Sequence, residues 1–308
     1  DVGCAVSMDS NTYGEFEPYL AGASAVCESV RNVISTGARP IALTDCLNYG
    51  SPENPEVFWG FKEGVRGISE AAEALSLIAG EAIPIISGNV SLYNQSKAGN
   101  SVVPSPVVCC VGRLDNIHLV VKSPLQKPGL SLFCIQKPQR QMAGSILVDV
   151  LAQQNKLNKA DFKQVFDINL ALEAKQNQAL LSLMDQGIIE ACQDISYGGL
   201  YQCLVEMLLG ERANQPLGLE LDFSYTDDLT SSLFSEVGGY VIAIESSSEE
   251  TLQKSLNGIE GLSYHKLGHT TEVPKLTLKK AGDVLVNLSY EALKQAFFTK
   301  NESVFATP

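Results

Sequence analysis

Two stretches near the start of the chain carry the clearest pattern: residues 41–52 read IALTDCLNYGSP and residues 85–94 read IISGNVSLYN. The apolar run 41–44 predicts a short buried strand that ends at Asp45. A second strand, predicted over 83–86, leads into a loop from Ser87 to Asn94. Because ligands often bind where strand ends deliver loops to one edge of a sheet, we expect Asp45 and Gly88 to converge there.

Helices are predicted around these strands. Residues 21–36 place apolar side chains at the spacing of an amphipathic helix, and Gly37 follows where a left-handed C-cap residue is wanted. A second helix with one apolar stripe ends before Gly80, and Phe58 and Trp59 at its start are expected to pack in the core. The chain begins within another predicted strand, so we expect the sequence to be a fragment of a longer fold.

The pattern breaks between Lys122 and Gly129, where polar and turn residues accumulate. We place a domain boundary there, which divides the chain into residues 1–120 and 121–308. The second part alternates strands and helices, as in an α/β layer. Its strands are predicted over 130–135, 188–194 and 240–245, and its helices over 170–184, 200–209, 249–256 and 290–298.

Composition excludes several classes of function. A net charge of -13 over 308 residues argues against nucleic-acid binding, which needs clustered Lys and Arg. No apolar run approaches the roughly 20 residues that span a bilayer, so no membrane role is expected. The 8 cysteines include no CxxC pair, a pattern that favours reduced thiols in a cytoplasmic protein over a disulfide framework or a zinc site.

The strongest candidate for chemistry is Asp45 together with residues 87–91. A carboxylate at a strand end and an Asn carbonyl are oxygen ligands suited to Mg²⁺, whose remaining ligands are mostly phosphate and water. Gly88 permits close backbone approach to a ligand, and the Ser91 hydroxyl could donate to a phosphate or carbonyl oxygen. Residue types and spacing alone nevertheless favour a simpler interpretation, in which Ser-Gly-Asn is a turn and Asp45 a capping acceptor.

Resemblance to a known family overturns that simpler interpretation. Four segments together resemble phosphoribosylformylglycinamidine synthase, and the likeness covers nearly all of residues 1 to about 115 in order. The segments are ESVRNV at 28–33, IALTDCLNYGSP at 41–52, IISGNVSLYN at 85–94 and PSPVV at 104–108. Several long motifs in one order make a chance match implausible.

The resemblance implies a fold and a reaction. The family's synthetase chain has two similar halves, each with an N-terminal mixed sheet that pairs with its counterpart and a C-terminal α/β domain, and this sequence looks like the second half. The fold class implied is thus an α+β / α/β two-domain unit of the aminoimidazole ribonucleotide synthetase-like type. The family converts formylglycinamide ribonucleotide, ATP and an amide nitrogen to formylglycinamidine ribonucleotide, through phosphorylation of the formamido oxygen and attack by ammonia.

Site residues follow from the resemblance position by position. Asp45 and Gly88 are implied in nucleotide binding, Asn89 at a Mg²⁺ site and Ser91 in substrate binding. The family's catalytic His and Glu-Ser-Gln motif belong to the first half, so no catalytic residue is assigned here and the chain alone is expected to be inactive. The partners implied are the N-terminal synthetase half of the same polypeptide, a glutaminase subunit or domain and the small-molecule substrate; the chain alone could form a homodimer.

The second domain resembles the family less closely. Ala143-Gly144-Ser145 stands where a Gly-Gly-Ser phosphate loop is usual, and Gly198-Gly199 opens a predicted helix whose N–H groups could meet an anion. A tight strand-to-helix connection explains that glycine pair equally well. The segment 235–239 keeps the Glu of the Glu-Ser-Gln motif but not the Ser-Gln pair.

Two other functions remain open from the sequence. One is a single two-domain enzyme related to aminoimidazole ribonucleotide synthetase, although the aspartate- and glycine-rich ATP segment of such a chain is not seen. The other is a non-catalytic nucleotide-binding or assembly half that contributes ligands and stability to a partner.

Overall fold

A computed structural model describes residues 1–136, 141–210 and 216–299. Within them the chain forms a four-stranded sheet, in the order β1-β4-β2-β3, and a seven-stranded sheet, in the order β11-β10-β7-β9-β5-β8-β6. The two-domain fold class is confirmed. Residues 300–308, the end of the second predicted domain, lie outside the described residues.

The strands and helices of the first domain lie close to those predicted. They are β1 (Gly3–Asp9), α1 (Pro18–Ser35), β2 (Arg39–Asn48), α2 (Pro55–Ala74), β3 (Ile85–Ser91) and β4 (Ser105–Leu114). β2 pairs with β3 in parallel and with β4 antiparallel, and β1 closes the other side of β4.

The second sheet is mostly antiparallel, because β7 and β10 form its one parallel pair within the described residues. Its strands are β5 (Ser131–Gln136), β6 (Ile189–Asp194), β7 (Gly218–Asp222), β8 (Gly239–Ile244), β9 (Ser263–Thr271), β10 (Lys275–Lys280) and β11 (Asp283–Ser289). Its helices are α3 (Ile146–Gln153), α4 (Leu170–Asp185), α5 (Gly199–Leu209), α6 (Leu229–Phe234), α7 (Glu249–Leu256) and α8 (Tyr290–Phe298). The sequence pattern missed β7, β9, β10 and β11. β7 and β9 pair with strands far away in the chain, whereas β10 and β11 form a hairpin with each other.

Helix α1 lies between the two sheets. The pattern predicts an amphipathic helix, but only Tyr19, Glu28 and Asn32 of its 18 residues escape burial. One side packs on the first sheet, and the other joins a core that includes Leu180 of α4 and Ile242 of β8. A helix buried on all sides is a core helix, so the two domains share this element.

The expectation that Phe58 and Trp59 pack in the core is wrong, since their exposed fractions are 52% and 53%. Helix α2 approaches α1 through glycines instead. A Cβ added at Gly67 would lie 2.1 Å from the backbone oxygen of Tyr19. Such close contact leaves no room for large side chains on that face, so the aromatic pair lies on the outside.

No helix in the described part of the chain is long and apolar enough to cross a membrane. No disulfide joins the eight cysteines, all of which the structure describes.

Candidate functional site

Asp45 and Gly88 lie side by side on neighbouring parallel strands. In the pairing of β2 with β3, Asp45 is the register partner of Gly88. A Cβ added at Gly88 would lie 2.2 Å from Asp45 Oδ1, closer than real Cβ atoms come to another atom. Gly88 is therefore the residue that lets the Asp45 carboxylate lie over β3.

The structure corrects the expected loop. Residues 87–91 belong to strand β3, and Asp45 lies within β2 rather than at its end. Ser, Gly and Asn favour turns by their intrinsic preferences, but pairing with the long strand β2 holds them extended, and such tertiary context overrides weak local propensity. The loop begins only after Ser91, where the N–H groups of Tyr93 and Asn94 donate to Gly50 and Tyr49.

The four predicted site residues divide between the two faces of the sheet. Asp45 and Gly88 share the face that carries the buried Leu43, since side chains alternate along a strand. Asn89 is paired with Cys46 and lies on the opposite face, where its Nδ2 donates to Cys46 Sγ at 3.4 Å. Ser91 follows Asn89 on that opposite face, so the four side chains do not form one cluster.

Both faces can nevertheless be reached from the edge of the sheet, because β3 is an edge strand among the described residues. All its side chains from Ile85 to Val90 are exposed. An edge strand leaves outward backbone N–H and C=O groups without a ladder partner. A ligand at this edge could contact Asp45 and Gly88 on one face, Asn89 and Ser91 on the other, and backbone N–H groups between them.

The electrostatics of this edge favour a cationic or proton-bearing ligand near Asp45. Burial raises the pKa of the Asp45 carboxyl. Burial and the negative charge of Asp45 together raise the pKa of Tyr49 to about 12. The Tyr49 hydroxyl, buried in the wall behind Asp45, has no hydrogen-bond partner in the structure.

The donor set fits a magnesium ion that is held mainly by its ligand. The described residues contain no group of three or more His, Cys, Asp or Glu side chains arranged for a metal. Mg²⁺ in nucleotide sites commonly takes one or two protein oxygens and completes its shell with phosphate and water. The Asn89 carbonyl oxygen lies on one face and the Asp45 carboxylate on the other, so each could supply one protein oxygen to an ion, but the two would not meet at the same ion.

A second polar region, between the two sheets, was missed by sequence reasoning. A cavity of about 840 Å³ is lined by residues of β1, the end of α1 and the end of β6, including Asp9, Asn32 and Asp194. Behind it, Arg31 of α1 forms a buried ion pair with Glu173 of α4 at 2.8 Å. The helical pattern of α1 gave no sign of this pair, because its partner is 142 residues away.

The carboxyl groups around Arg31 hold protons more tightly than free ones. Burial raises the pKa of Glu28 to about 8, although the positive charge of Arg31 opposes the rise. Burial likewise raises the pKa of Asp194 to about 6. These acids can exchange protons near neutral pH. Two sequence signals could have found them, the segment 28–33, which contains Glu28, and the motif around Gln193-Asp194.

The two glycine-containing loops of the second domain come together at one point. The N–H groups of Ile146, after Ala143-Gly144-Ser145, and of Gly198 both donate to Glu236 Oε1, at 2.8 and 2.9 Å. In the Gly198-Gly199 turn, the Gly198 N–H donates to a carboxylate of the chain itself, while the Gly199 N–H donates to the backbone oxygen of Ser196, as in a tight strand-to-helix connection.

Comparison with known proteins identifies relatives over nearly the whole chain. The chain is 35% identical over 303 residues to the phosphoribosylformylglycinamidine synthase subunit PurL of Methanothrix thermoacetophila, covering 96% of this chain and 38% of that protein. The family resemblance read from the motifs is thereby confirmed. The chain spans less than half the length of this curated relative.

Solved structures share the fold. Thermotoga maritima PurL complexed with FGAR matches with a TM-score of 0.74 and 19% identity, over 95% of this chain and 46% of that one. A chain of a HypE-HypF complex matches with a TM-score of 0.66 and 17% identity, over 92% of this chain and 89% of that one.

Family models match both domains. The model described as AIR synthase related protein, N-terminal domain, matches residues 1–114, and the corresponding C-terminal domain model matches residues 127–281. With two matches in order that together cover most of its length, the chain belongs to the AIR synthase related protein family.

Proposed function

We propose that this chain is the second synthetase-like half of an ATP-dependent C–N ligase that acts in purine synthesis in the cytoplasm. The complete enzyme would convert formylglycinamide ribonucleotide and an amide nitrogen, from glutamine or ammonia, to formylglycinamidine ribonucleotide. Support comes from the name of the curated relative and from related Thermotoga maritima chains titled as complexes with FGAR, ATP, AMPPCP and ADP. The observation that carries the proposal is the Asp45–Gly88 contact at an uncovered edge strand.

The residues of this edge would bind and orient the nucleotide and substrate. Asp45 and Gly88 would contact the nucleotide, and the outward N–H groups of β3 would donate to its phosphate oxygens. Asn89 would supply an oxygen to Mg²⁺, and Ser91 would donate a hydrogen bond to the substrate. When bound, Mg²⁺ offsets negative charge on the phosphoryl group that ATP transfers.

The position of β3 supports the proposal that a second half completes the site. Asn89 and Ser91 lie on the open face of the first sheet, together with exposed apolar side chains such as Val6 and Met8. We propose that this face packs against the corresponding sheet of the N-terminal synthetase half, which closes the site from outside. A glutaminase would supply ammonia, in line with the related structure titled PurLQS from Thermotoga maritima.

The catalytic His and the complete substrate motif of the family have no counterpart in this chain. By itself the chain is therefore proposed to be a non-catalytic half that contributes nucleotide, metal and substrate contacts. Ammonia-dependent turnover by the isolated 308-residue chain would contradict this division of labour.

The test is substitution of the edge residues in the complete enzyme. Asn89→Ala and Ser91→Ala should each lower ammonia-dependent kcat/KM by about tenfold or more, the effect of losing roughly 1.4 kcal/mol of transition-state binding. Asn287→Ala is the matched control, because Asn287 is exposed on β11, an edge strand of the other sheet. If both site variants turn over as fast as wild type, Asn89 and Ser91 are not part of the site.

A further inference from the structure

Two helices of the second domain begin beside each other with unusual backbone geometry. α3 begins at Ile146 after the N-cap Ser145, and α5 begins at Gly199 after the N-cap Gly198. Gly198 and Gly199 have φ values of +81° and +70°, in the left-handed region that favours glycine. The N-terminus of a helix carries partial positive charge and free N–H groups, so two such ends together attract an anion.

One oxygen of the chain already occupies this position. Glu236 Oε1 accepts hydrogen bonds from the N–H of Ile146 at 2.8 Å and the N–H of Gly198 at 2.9 Å. In anion sites at helix N-termini, a negatively charged phosphate oxygen accepts these hydrogen bonds. Here a negatively charged carboxylate oxygen accepts them instead.

Residues before α1 hold the backbone at Glu236 and at the neighbouring loop in place. The Tyr13 hydroxyl donates to the backbone oxygen of Glu236 at 3.0 Å, and the Thr12 hydroxyl donates to the backbone oxygen of Gly144 at 3.0 Å. Tyr13 is itself buried and packs edge-on against Phe166, with ring centres 5.3 Å apart. Both the glutamate and the loop that it bridges are thus fixed by the first domain, so the bridge forms at little entropic cost.

We propose that Glu236 is a built-in anion that closes the joined Ala143–Ser145 and Gly198-Gly199 loops to phosphate. An external phosphate must displace a tethered carboxylate from both N–H groups before it can bind there. A cavity of about 340 Å³, lined by Ile146, Gly198 and Tyr201, lies alongside and gives a small anion room to enter once the carboxylate is removed. The inference stands apart from the proposed ligase function, since it concerns a different domain and needs no partner.

Inorganic phosphate titrated into the intact chain tests the inference, with the amide signals of Ile146 and Gly198 followed by NMR. In wild type these signals should not respond to millimolar phosphate. In Glu236→Ala these signals should shift in a saturable way, with an apparent Kd for phosphate about tenfold or more below the lowest value that the wild-type titration allows. The substitution should lower Tm, and phosphate should restore part of that loss. Glu272→Ala is the charge-matched control, because Glu272 is an exposed acid outside these loops.

Glu236→Gln covers the case in which the alanine variant does not fold. It keeps the size and one acceptor oxygen but loses the charge, so its phosphate affinity should lie between wild type and the alanine variant. The inference is overturned if wild type binds phosphate at these two amides as tightly as the variants. It is equally overturned if the glutamine variant, once folded, shows no gain in phosphate binding over wild type.

Discussion

At the scale of single residues, the candidate site depends on the absence of a side chain. Gly88 lets the Asp45 carboxylate lie across the edge strand, and the same edge exposes Asn89 on its other face. The residue identities were evident from the sequence motifs. Their separation onto two faces was not, because it depends on the register of β3 against β2.

Gly88→Ala should displace the Asp45 carboxylate, because the new Cβ would lie 2.2 Å from Asp45 Oδ1. We expect nucleotide affinity of the complete enzyme to fall by about tenfold or more, while the overall fold is retained because a carboxylate can rotate away. Magnesium-ATP binding by calorimetry measures this. Gly258→Ala, where nothing lies within 4 Å of the added Cβ, should bind like wild type. Equal affinity in both variants would contradict the role of Gly88.

Glu28 should make stability depend on pH. Its pKa in the folded chain is about 8, against 4.5 for an unperturbed Glu, because burial outweighs the charge of Arg31 while Asp9, Asp194 and Glu236 add to the rise. The folded state thus keeps a proton that the unfolded state releases, and stability falls as pH rises through this window, by at most about 1.4 kcal/mol per pH unit.

Glu28→Gln should flatten that fall and be more stable than wild type above pH 8, as measured by urea unfolding from pH 5 to 8.5. Glu81→Gln, a change at an exposed loop residue, should leave the wild-type slope intact. If unfolding free energy depends on pH with the same slope in the Glu28 variant and in wild type, groups other than Glu28 cause the pH dependence.

At the scale of elements, α1 connects the domains through a shared core and a buried ion pair. Arg31 and Glu173 have side-chain exposures of 6% and 0%, and a hydrogen bond from Tyr240 to Asn177 of α4 lies in the same interface. The apolar pattern predicted the helix, but the amphipathic interpretation failed because α1 is covered on both sides. The packing of α4 against α1 brings Glu173 to the buried Arg31 as its ion-pair partner.

Glu173→Gln should cost about 3–5 kcal/mol of unfolding free energy, because it leaves the Arg31 charge buried without its ion-pair partner. Asp185→Asn is a matched control on the same helix. Asp185 pairs with Arg39 at 2.6 Å, but the two side chains are 54% and 39% exposed, so its loss should cost less than about 1 kcal/mol. Chemical denaturation measures the free energy of unfolding of both variants. Similar losses in the two would argue against the buried pair as the interdomain link.

At the scale of the whole molecule, the first sheet has one face packed on α1 and another that no described element covers. Val6 and Met8 on this open face are 65% and 71% exposed. A large exposed apolar face is typical of an interface, and the edge strand with Asn89 and Ser91 borders it. The proposed half-enzyme requires such a face to complete the site with residues from its partner.

Met8→Asp should therefore weaken association with the N-terminal synthetase half by about tenfold or more, because a charge is costly in an apolar interface. Sedimentation of the two halves mixed in solution measures this, and also detects a homodimer of this chain. Ile78→Asp places the same charge at another exposed apolar residue, 61% exposed and outside the sheet, and should associate like wild type. Equal weakening by both variants would refute an interface on this face.

The sequence by itself determined the family, the two-domain fold class and most helices and strands of the first domain, since these follow from local motifs and apolar periodicity. It also identified Asp45, Gly88, Asn89 and Ser91 as candidates. Only the tertiary structure decided that β3 is a strand, that it separates these residues onto two faces, and that Glu236 bridges two helix ends. The physical reason is that strand register, buried ion pairs and shared helix ends join residues distant in the chain, and no local propensity encodes which of them will meet.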